Sequence, residues 1–357
     1  MRALPEDFDD AALHRALADG WGIDAEALEY APLGGGSYHW LVRDRAGTRW
    51  FATVDDLDQK PWLGETRESV FDGLSRAFET AVALRESGLA FVVAPLLTRR
   101  GETVLRLGPR YTVALFPFVD GQPGRFGHYE AAERPAILAM LADLHQATPA
   151  VASVARRADL DLAGRPRLEE ALRELDQTWT GGPFAEPARL ALTQHAADVA
   201  ELLALTARLA TEVATRTADW VVTHGEPHGG NVMRTGGSHV LIDWDTVALA
   251  PPERDLWMLV GDGTDDASVY TDLTGHQLDQ SAVDFFRLAW DLEDLSAFTS
   301  VLRSPHRHSA DTAWAYRGVT TCVAIRDRWA ARLTSPRPPA APLQCRTRSG
   351  GPRPGSR

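Results

Sequence analysis

The chain has little cysteine, little lysine and no long apolar run. Two cysteines, Cys322 and Cys345, cannot build a disulfide framework, and neither stands in a CxxC metal pattern. A reducing compartment, the cytoplasm, is the expected location. One lysine, Lys60, stands among 37 basic residues, so any chemistry that needs an ammonium group must use it. The apolar stretches fall short of the roughly 20 residues that a membrane helix requires. The N-terminus, Met1-Arg2-Ala3-Leu4-Pro5-Glu6-Asp7, turns acidic without an apolar core, so no secretory leader is expected. Basic charge is scarce overall: the net charge of −12 opposes nonspecific binding to nucleic acid or anionic lipid.

What remains is ordinary for a globular protein: 44% hydrophobic and 24% charged residues, over a length of 357 that suits two lobes. Residues 334–357 differ, with six prolines, five arginines, three glycines and no acid, and read as a disordered tail. The first part is β-rich. Strand patterns cover 28–33, 38–43, 49–54, 91–98 and 111–116, with a helical pattern at 65–86. A five-stranded, mostly antiparallel sheet with one inserted helix is expected. After Asp120-Gly121-Gln122-Pro123-Gly124 helices dominate, at 129–146, 167–179, 186–216, 253–259, 281–302 and 311–333. A short strand at 219–223 and a hairpin of 231–234 with 239–243 interrupt them. The expected class is α+β: a nucleotide-binding lobe at 1–117, a catalytic and substrate lobe at 118–333, and the tail.

The densest polar cluster is His224-Gly225-Glu226-Pro227-His228-Gly229-Gly230-Asn231, followed by Asp243-Trp244-Asp245. Pairing about the turn at Gly236-Gly237 sets Asn231 opposite Ile242 and beside Asp243. An amide oxygen and a carboxylate at one hairpin end suit Mg²⁺, and Glu226 lies upstream within reach. One carboxylate to orient a hydroxyl and another to hold a metal on phosphates is the layout of phosphoryl transfer. His224 and His228 read as residues that hold the loop by backbone hydrogen bonds. Asp255, near a helix start, reads as an acceptor for backbone N–H groups of its own helix or of the catalytic loop.

These two loops together resemble the catalytic and metal loops of the aminoglycoside phosphotransferase family. Ala250-Pro251-Pro252-Glu253-Arg254-Asp255-Leu256 and the segments Phe286-Arg287 and Leu292-Glu293-Asp294-Leu295 are similar in particular to the spectinomycin phosphotransferase branch. Leu141-Ala142-Asp143-Leu144-His145 resembles that family's first C-lobe helix. The resemblance covers residues 10–333 and implies a protein-kinase-like two-lobe fold. It further implies ATP, with GTP left open, and Mg²⁺ as cofactors. Glu226 becomes the catalytic acid, and Asn231 and Asp243 hold metal with help from Asp245. Gly34, Gly35, Gly36 and Ser37 cover the phosphates. The backbone of Phe116, Phe118 and Val119 seats the base. Trp290, Glu293 and Asp294 border the substrate, and the two acids make a wall for a cation.

Two departures stand out. Glutamate at 226 replaces the family's usual aspartate and lengthens the reach by one methylene. Thr53 stands where the third strand should carry a phosphate-binding lysine, leaving Lys60, Arg43 and Arg49 as candidate cations; Glu79 is the candidate for the helix glutamate that the family pairs with that lysine. The leading expectation is an O-phosphotransferase acting on a small, polar, amine-bearing molecule such as an aminoglycoside or aminocyclitol, as monomer or homodimer. A kinase of an endogenous amino alcohol or sugar is an alternative. So is a nucleotide-binding pseudokinase, motivated by Thr53. A metal-dependent hydrolase leaves the β-rich lobe unexplained.

Overall fold

A computed structural model of the chain describes residues 4–5, 8–127, 129–216, 220–260, 267–325 and 329. The segment 334–357, expected to be a tail, lies outside them. Helix α1, Asp10–Trp21, opens on an Asp9 cap and closes on Gly22 in the left-handed conformation. Strands β1 (Ala25–Ala31), β2 (Tyr38–Asp44) and β3 (Arg49–Asp56) form an antiparallel meander. Helix α2, Arg67–Glu86, follows, with Thr66 and Ser69 forming a capping box. Strands β4 (Leu105–Leu107) and β5 (Tyr111–Pro117) complete the sheet in the order β1-β2-β3-β5-β4.

The period-2 pattern sorts the sheet into two faces. Trp40, Val42, Ala52, Val54, Val113 and Leu115 pack with Leu13 and Leu17 of α1. Phe51, Ala114 and Phe116 pack with Val70, Leu74 and Phe78 of α2. Thr53 and Asp55, in step with Phe51, belong to this second face. The expected strand at 91–98 is not one, and β4 supplies the fifth strand instead. Pro95 lacks an N–H and interrupts any ladder there. Residues around Val92 instead bridge to Leu241 in the second half of the chain, and Leu96 donates to the Leu115 carbonyl.

The chain leaves β5 and pairs β6 (Gln122–Pro123) with β8 (Val232–Thr235), which in turn pairs with β9 (Ser238–Leu241). Between them lie α3 (Arg134–Gln146), the short α4 (Thr148–Val151), α5 (Arg165–Arg173), α6 (Ala185–Gln194), α7 (Ala196–Ala214) and β7 (Val221–Thr223). After β10 (Ala248–Ala250), which pairs with β7, come α8 (Glu253–Leu256), α9 (Ser268–Thr274), α10 (Gln280–Arg303) and α11 (Ala310–Cys322). One core joins α2 to the C-terminal half through Ala77, Ala81, Leu84, Leu141, Leu241 and Trp244. The other is helical and centres on α10, which packs on α5, α7 and α11. Among the described residues no helix is long and apolar enough to cross a membrane.

Candidate active site

The β8–β9 hairpin pairs in the expected register, and Ile242 N–H donates to the Asn231 carbonyl at 3.0 Å. Asn231 and Asp243 therefore sit side by side at its open end. The Asn231 amide nitrogen donates to the Glu226 carbonyl at 2.9 Å, which ties the metal-side residue to the catalytic loop and leaves its oxygen for a cation. Asp243 has φ 68°, the one non-glycine residue with positive φ among those described. A carboxylate held in the left-handed region is costly, and such strain collects where a side chain has a job to do.

The loop 224–231 is held from beneath. Asp255, fully buried, accepts from the N–H groups of His224 (2.8 Å) and Gly225 (2.6 Å) and pairs with His145 Nε2 (3.1 Å). His145 Nδ1 meets the Tyr270 hydroxyl at 2.6 Å. Of the two roles open to Asp255, the structure thus selects the catalytic loop. Gly225 needs φ 101°, and a Cβ there would fall 2.4 Å from the Arg254 guanidinium. Arg254 donates to Thr223 Oγ1 and the Thr246 carbonyl, bracing the loop from the other side. His224 bonds the Ile242 carbonyl at 2.9 Å and receives the Glu226 N–H at 3.2 Å, the backbone-holding part expected of it. Burial pushes its imidazole down to about 4, so the ring is neutral. His228 differs: among the described residues its buried Nδ1 has no hydrogen-bond partner, and its ring packs edge-on against Phe126.

Two acids contact one ammonium, and two more lie within its field. Lys60, with 0% exposure, lies 2.9 Å from Asp55 Oδ1 and 2.5 Å from Asp245 Oδ2, and donates to Ser37 Oγ at 3.2 Å. Its ammonium stays protonated far above neutrality: desolvation opposes the charge, but Asp245 and Asp55 outweigh it. Burial, then Asp245, pushes the Glu226 carboxyl up to about 7. Asp243 is raised well above the carboxylate range by the protein around it and then by Asp245, with Lys60 opposing. Its side chain reaches solvent, so the like charges weigh more than the enclosure. Asp55, Asp243, Asp245 and Glu226 against one lysine leave surplus negative charge, which is the chemistry of a cation site. Among the described residues no three His, Cys, Asp or Glu side chains make a metal cage by themselves.

Gly34, Gly35 and Gly36 are exposed and nearly uncrowded, while Ser37 is buried. Thr53 does not face this charge cluster with a cation: its hydroxyl contacts His39 Nδ1 at 3.4 Å across the β2–β3 ladder. Burial pushes His39 down to about 3, so it brings no charge either. Arg43 pairs with Glu26, and Arg49 lies over the Phe118 ring at 4.0 Å. Glu79 is exposed on α2 and takes no part. The Phe116 side chain is core, edge-on to Phe78, so only backbone beyond it is offered at 118–119.

Phe126, His228, Trp290 and Trp257 form an aromatic cluster. Asp294, one turn beyond Trp290 on α10, is pushed up to about 7 by burial, then by Asp291 and Glu293. It is near enough to raise Glu226 as well. Glu293 is engaged elsewhere: both its oxygens accept the Gly164 N–H at 3.0 and 3.2 Å, capping α5 rather than facing the cleft. Sequence patterns alone do not single out Asp55, Phe126, Trp257 or Arg254. Only Asp55 carries a signal, standing two residues after Thr53 on the same strand face.

A family profile described as the phosphotransferase enzyme family (APH) matches residues 29–298. Among known proteins, Protein StrN of Streptomyces griseus is 27% identical over 293 residues, 80% of this chain and 82% of that one. Among solved structures, spectinomycin phosphotransferase in complex with ADP and spectinomycin aligns with TM-score 0.69 at 15% identity, covering 90% of this chain and 100% of that one. The microcompartment-associated aminopropanol kinase aligns with TM-score 0.61 at 16% identity, covering 91% and 98%. At such identities the two structures establish the fold alone. With the profile spanning most of its length, the chain belongs to the APH phosphotransferase enzyme family.

Proposed function

We propose that this phosphotransferase uses ATP and Mg²⁺ to phosphorylate a hydroxyl on an amine-bearing small molecule of the aminocyclitol or amino-alcohol class. One observation carries the reading: Glu226, Asn231, Asp243 and Asp245 converge with the Lys60 ammonium beneath an exposed glycine loop. Glu226 orients the acceptor hydroxyl and takes its proton, a role suited to a carboxyl poised near 7. The Asn231 oxygen and the Asp243 carboxylate would hold the metal, with Asp245 close by; bound there, Mg²⁺ supplies charge neutralisation on the phosphates. Lys60 meets the phosphates in place of the cation that Thr53 cannot provide. The linker backbone at 116–119 seats the base. Asp294 and the aromatic faces of Trp290 and Phe126 suit an ammonium group on the acceptor. The chain divides functionally into a nucleotide lobe, 1–117, and a catalytic lobe, 118–333.

The spectinomycin and aminopropanol kinases whose fold it shares act on amine-bearing alcohols, which supports the acceptor class. The test is a coupled ADP-release assay with Mg·ATP against a panel of aminocyclitols, aminoglycosides and amino alcohols, with neutral sugars as controls. Turnover confined to amine-bearing acceptors is expected. Transfer only to neutral sugars would remove the ammonium part. Tight nucleotide binding with no turnover on any acceptor would favour the pseudokinase that Thr53 suggests.

A further inference from the structure

The carboxylate that holds Lys60 lies on strand β3 itself. Asp55 is 1% exposed, and its Oδ1 takes both the Lys60 ammonium (2.9 Å) and the Ser37 hydroxyl (2.6 Å). Its other oxygen is buried and makes no hydrogen bond among the described residues. This arrangement is poor for stability. A buried ammonium and carboxylate lose more hydration than the pair returns, and an apolar pair of similar shape serves a fold as well or better. An unsatisfied carboxylate oxygen adds to the cost. What the arrangement does achieve is position. Ser37 ends the glycine loop, Asp55 lies on β3 and Lys60 follows it, so three N-terminal segments close on one nitrogen. From the other side Asp245 approaches the same nitrogen, so the ammonium stands between the glycine loop and the metal-side acids. Helix α2 contributes nothing to it through Glu79, which points to solvent.

We propose that Asp55 is a positioning residue for phosphate binding: it fixes the sole lysine at the floor of the glycine loop and, through Ser37, ties the loop to that charge. This rests on the reading of Lys60 as the phosphate-contacting cation. It goes further in assigning the anchor to β3 and in making the lysine, its anchor and the loop one unit.

The test is a double-mutant cycle on ATP affinity by calorimetry, with Lys60→Met, Asp55→Asn and both together. The double variant leaves no charge at 55 or 60, and Asp245 loses its lysine in it just as in Lys60→Met, so that loss cancels between the two and a thermal melt checks that both are folded. Lys60→Met should weaken ATP about 10- to 100-fold. Adding Asp55→Asn to it should cost less than about a further twofold, because the charge of Asp55 acts through the lysine and the Asn side-chain oxygen still accepts from the Ser37 hydroxyl. A second full loss in the double variant would overturn the proposal, as would wild-type affinity in a folded Asp55→Asn. Unchanged affinity in Lys60→Met would sink the Lys60 reading itself and the anchor with it, leaving Glu226 and Asp243 untouched. The single lysine also gives a single NMR reporter. With ¹³C-lysine, ATP should shift the Lys60 side-chain signal in wild type and shift it far less in Asp55→Asn. An identical shift in both would argue for a merely structural Asp55.

Discussion

At the scale of single residues, the decisive position is Glu226. Its carboxyl sits near 7 because the protein desolvates it and Asp245 repels its charge, while Lys60 and Arg254 pull the other way. Glutamine fills the same space but accepts no proton. Glu226→Gln should therefore leave the acceptor KM within about threefold and lower kcat by about 10²- to 10⁴-fold. Glu226→Asp should keep a measurable fraction of kcat, since it loses reach and not chemistry. Steady-state kinetics with saturating Mg·ATP checks both, and a Gln variant with wild-type kcat would remove Glu226 from catalysis. Glu226, Asn231 and Asp243 are legible in the sequence, because loop and hairpin are local and the turn at Gly236-Gly237 sets the register. Lys60 is legible there only as the one lysine available; that it lies buried among acids is not. Nor is the turning away of Glu293, since nothing in the sequence says that the Gly164 N–H arrives beside it.

At the scale of elements, α10 carries the wall proposed for the acceptor. It presents Trp290 and Asp294 one turn apart, and the aromatic rings of Phe126, His228 and Trp257 gather around Trp290. A carboxyl pushed up to about 7 binds its proton more tightly in the folded state than in the unfolded chain. Its contribution is therefore most favourable at low pH and is lost as pH rises through about 7. Asp294→Asn should then stabilise the protein by about 1–3 kcal/mol at pH 8 and by little at pH 4, read as urea midpoints. The same variant should raise the KM for an amine-bearing acceptor and spare that for ATP. Equal stabilisation at both pH values would mean that Asp294 is not held by a desolvated charge. The strand expected at 91–98 fails at this scale as well. Its apolar pattern is genuine, but Pro95 denies it a ladder, and its partners, Leu115 and Leu241, lie far along the chain.

At the scale of the whole molecule, the formal net charge is −12, and the acids of the cleft add a local field of the same sign. Such a field concentrates a cationic acceptor and repels a nucleotide anion, which is why a buried lysine between glycine loop and metal-side acids matters. Raising ionic strength from about 20 mM to 500 mM should raise the KM of an amine-bearing acceptor several-fold and leave that of Mg·ATP level or lower. Parallel increases in both constants would point to a general salt effect on the enzyme and away from a steering field.

The sequence by itself determined what short-range rules govern. These are a β-rich first part and a helical second, the hairpin register, and the acids and amide of the 224–231 and 243–245 loops. Each follows from period, turn chemistry or neighbours within a few residues. Only the tertiary structure decided which distant groups share a charge environment. Asp55, Lys60 and Asp245 become one cluster because β3 and the segment after it fold against a loop about 185 residues away. Asp255 becomes the support of the catalytic loop because α8 places it under His224 and Gly225. In both cases the deciding quantity is the Coulomb energy and burial of groups that no local pattern brings together.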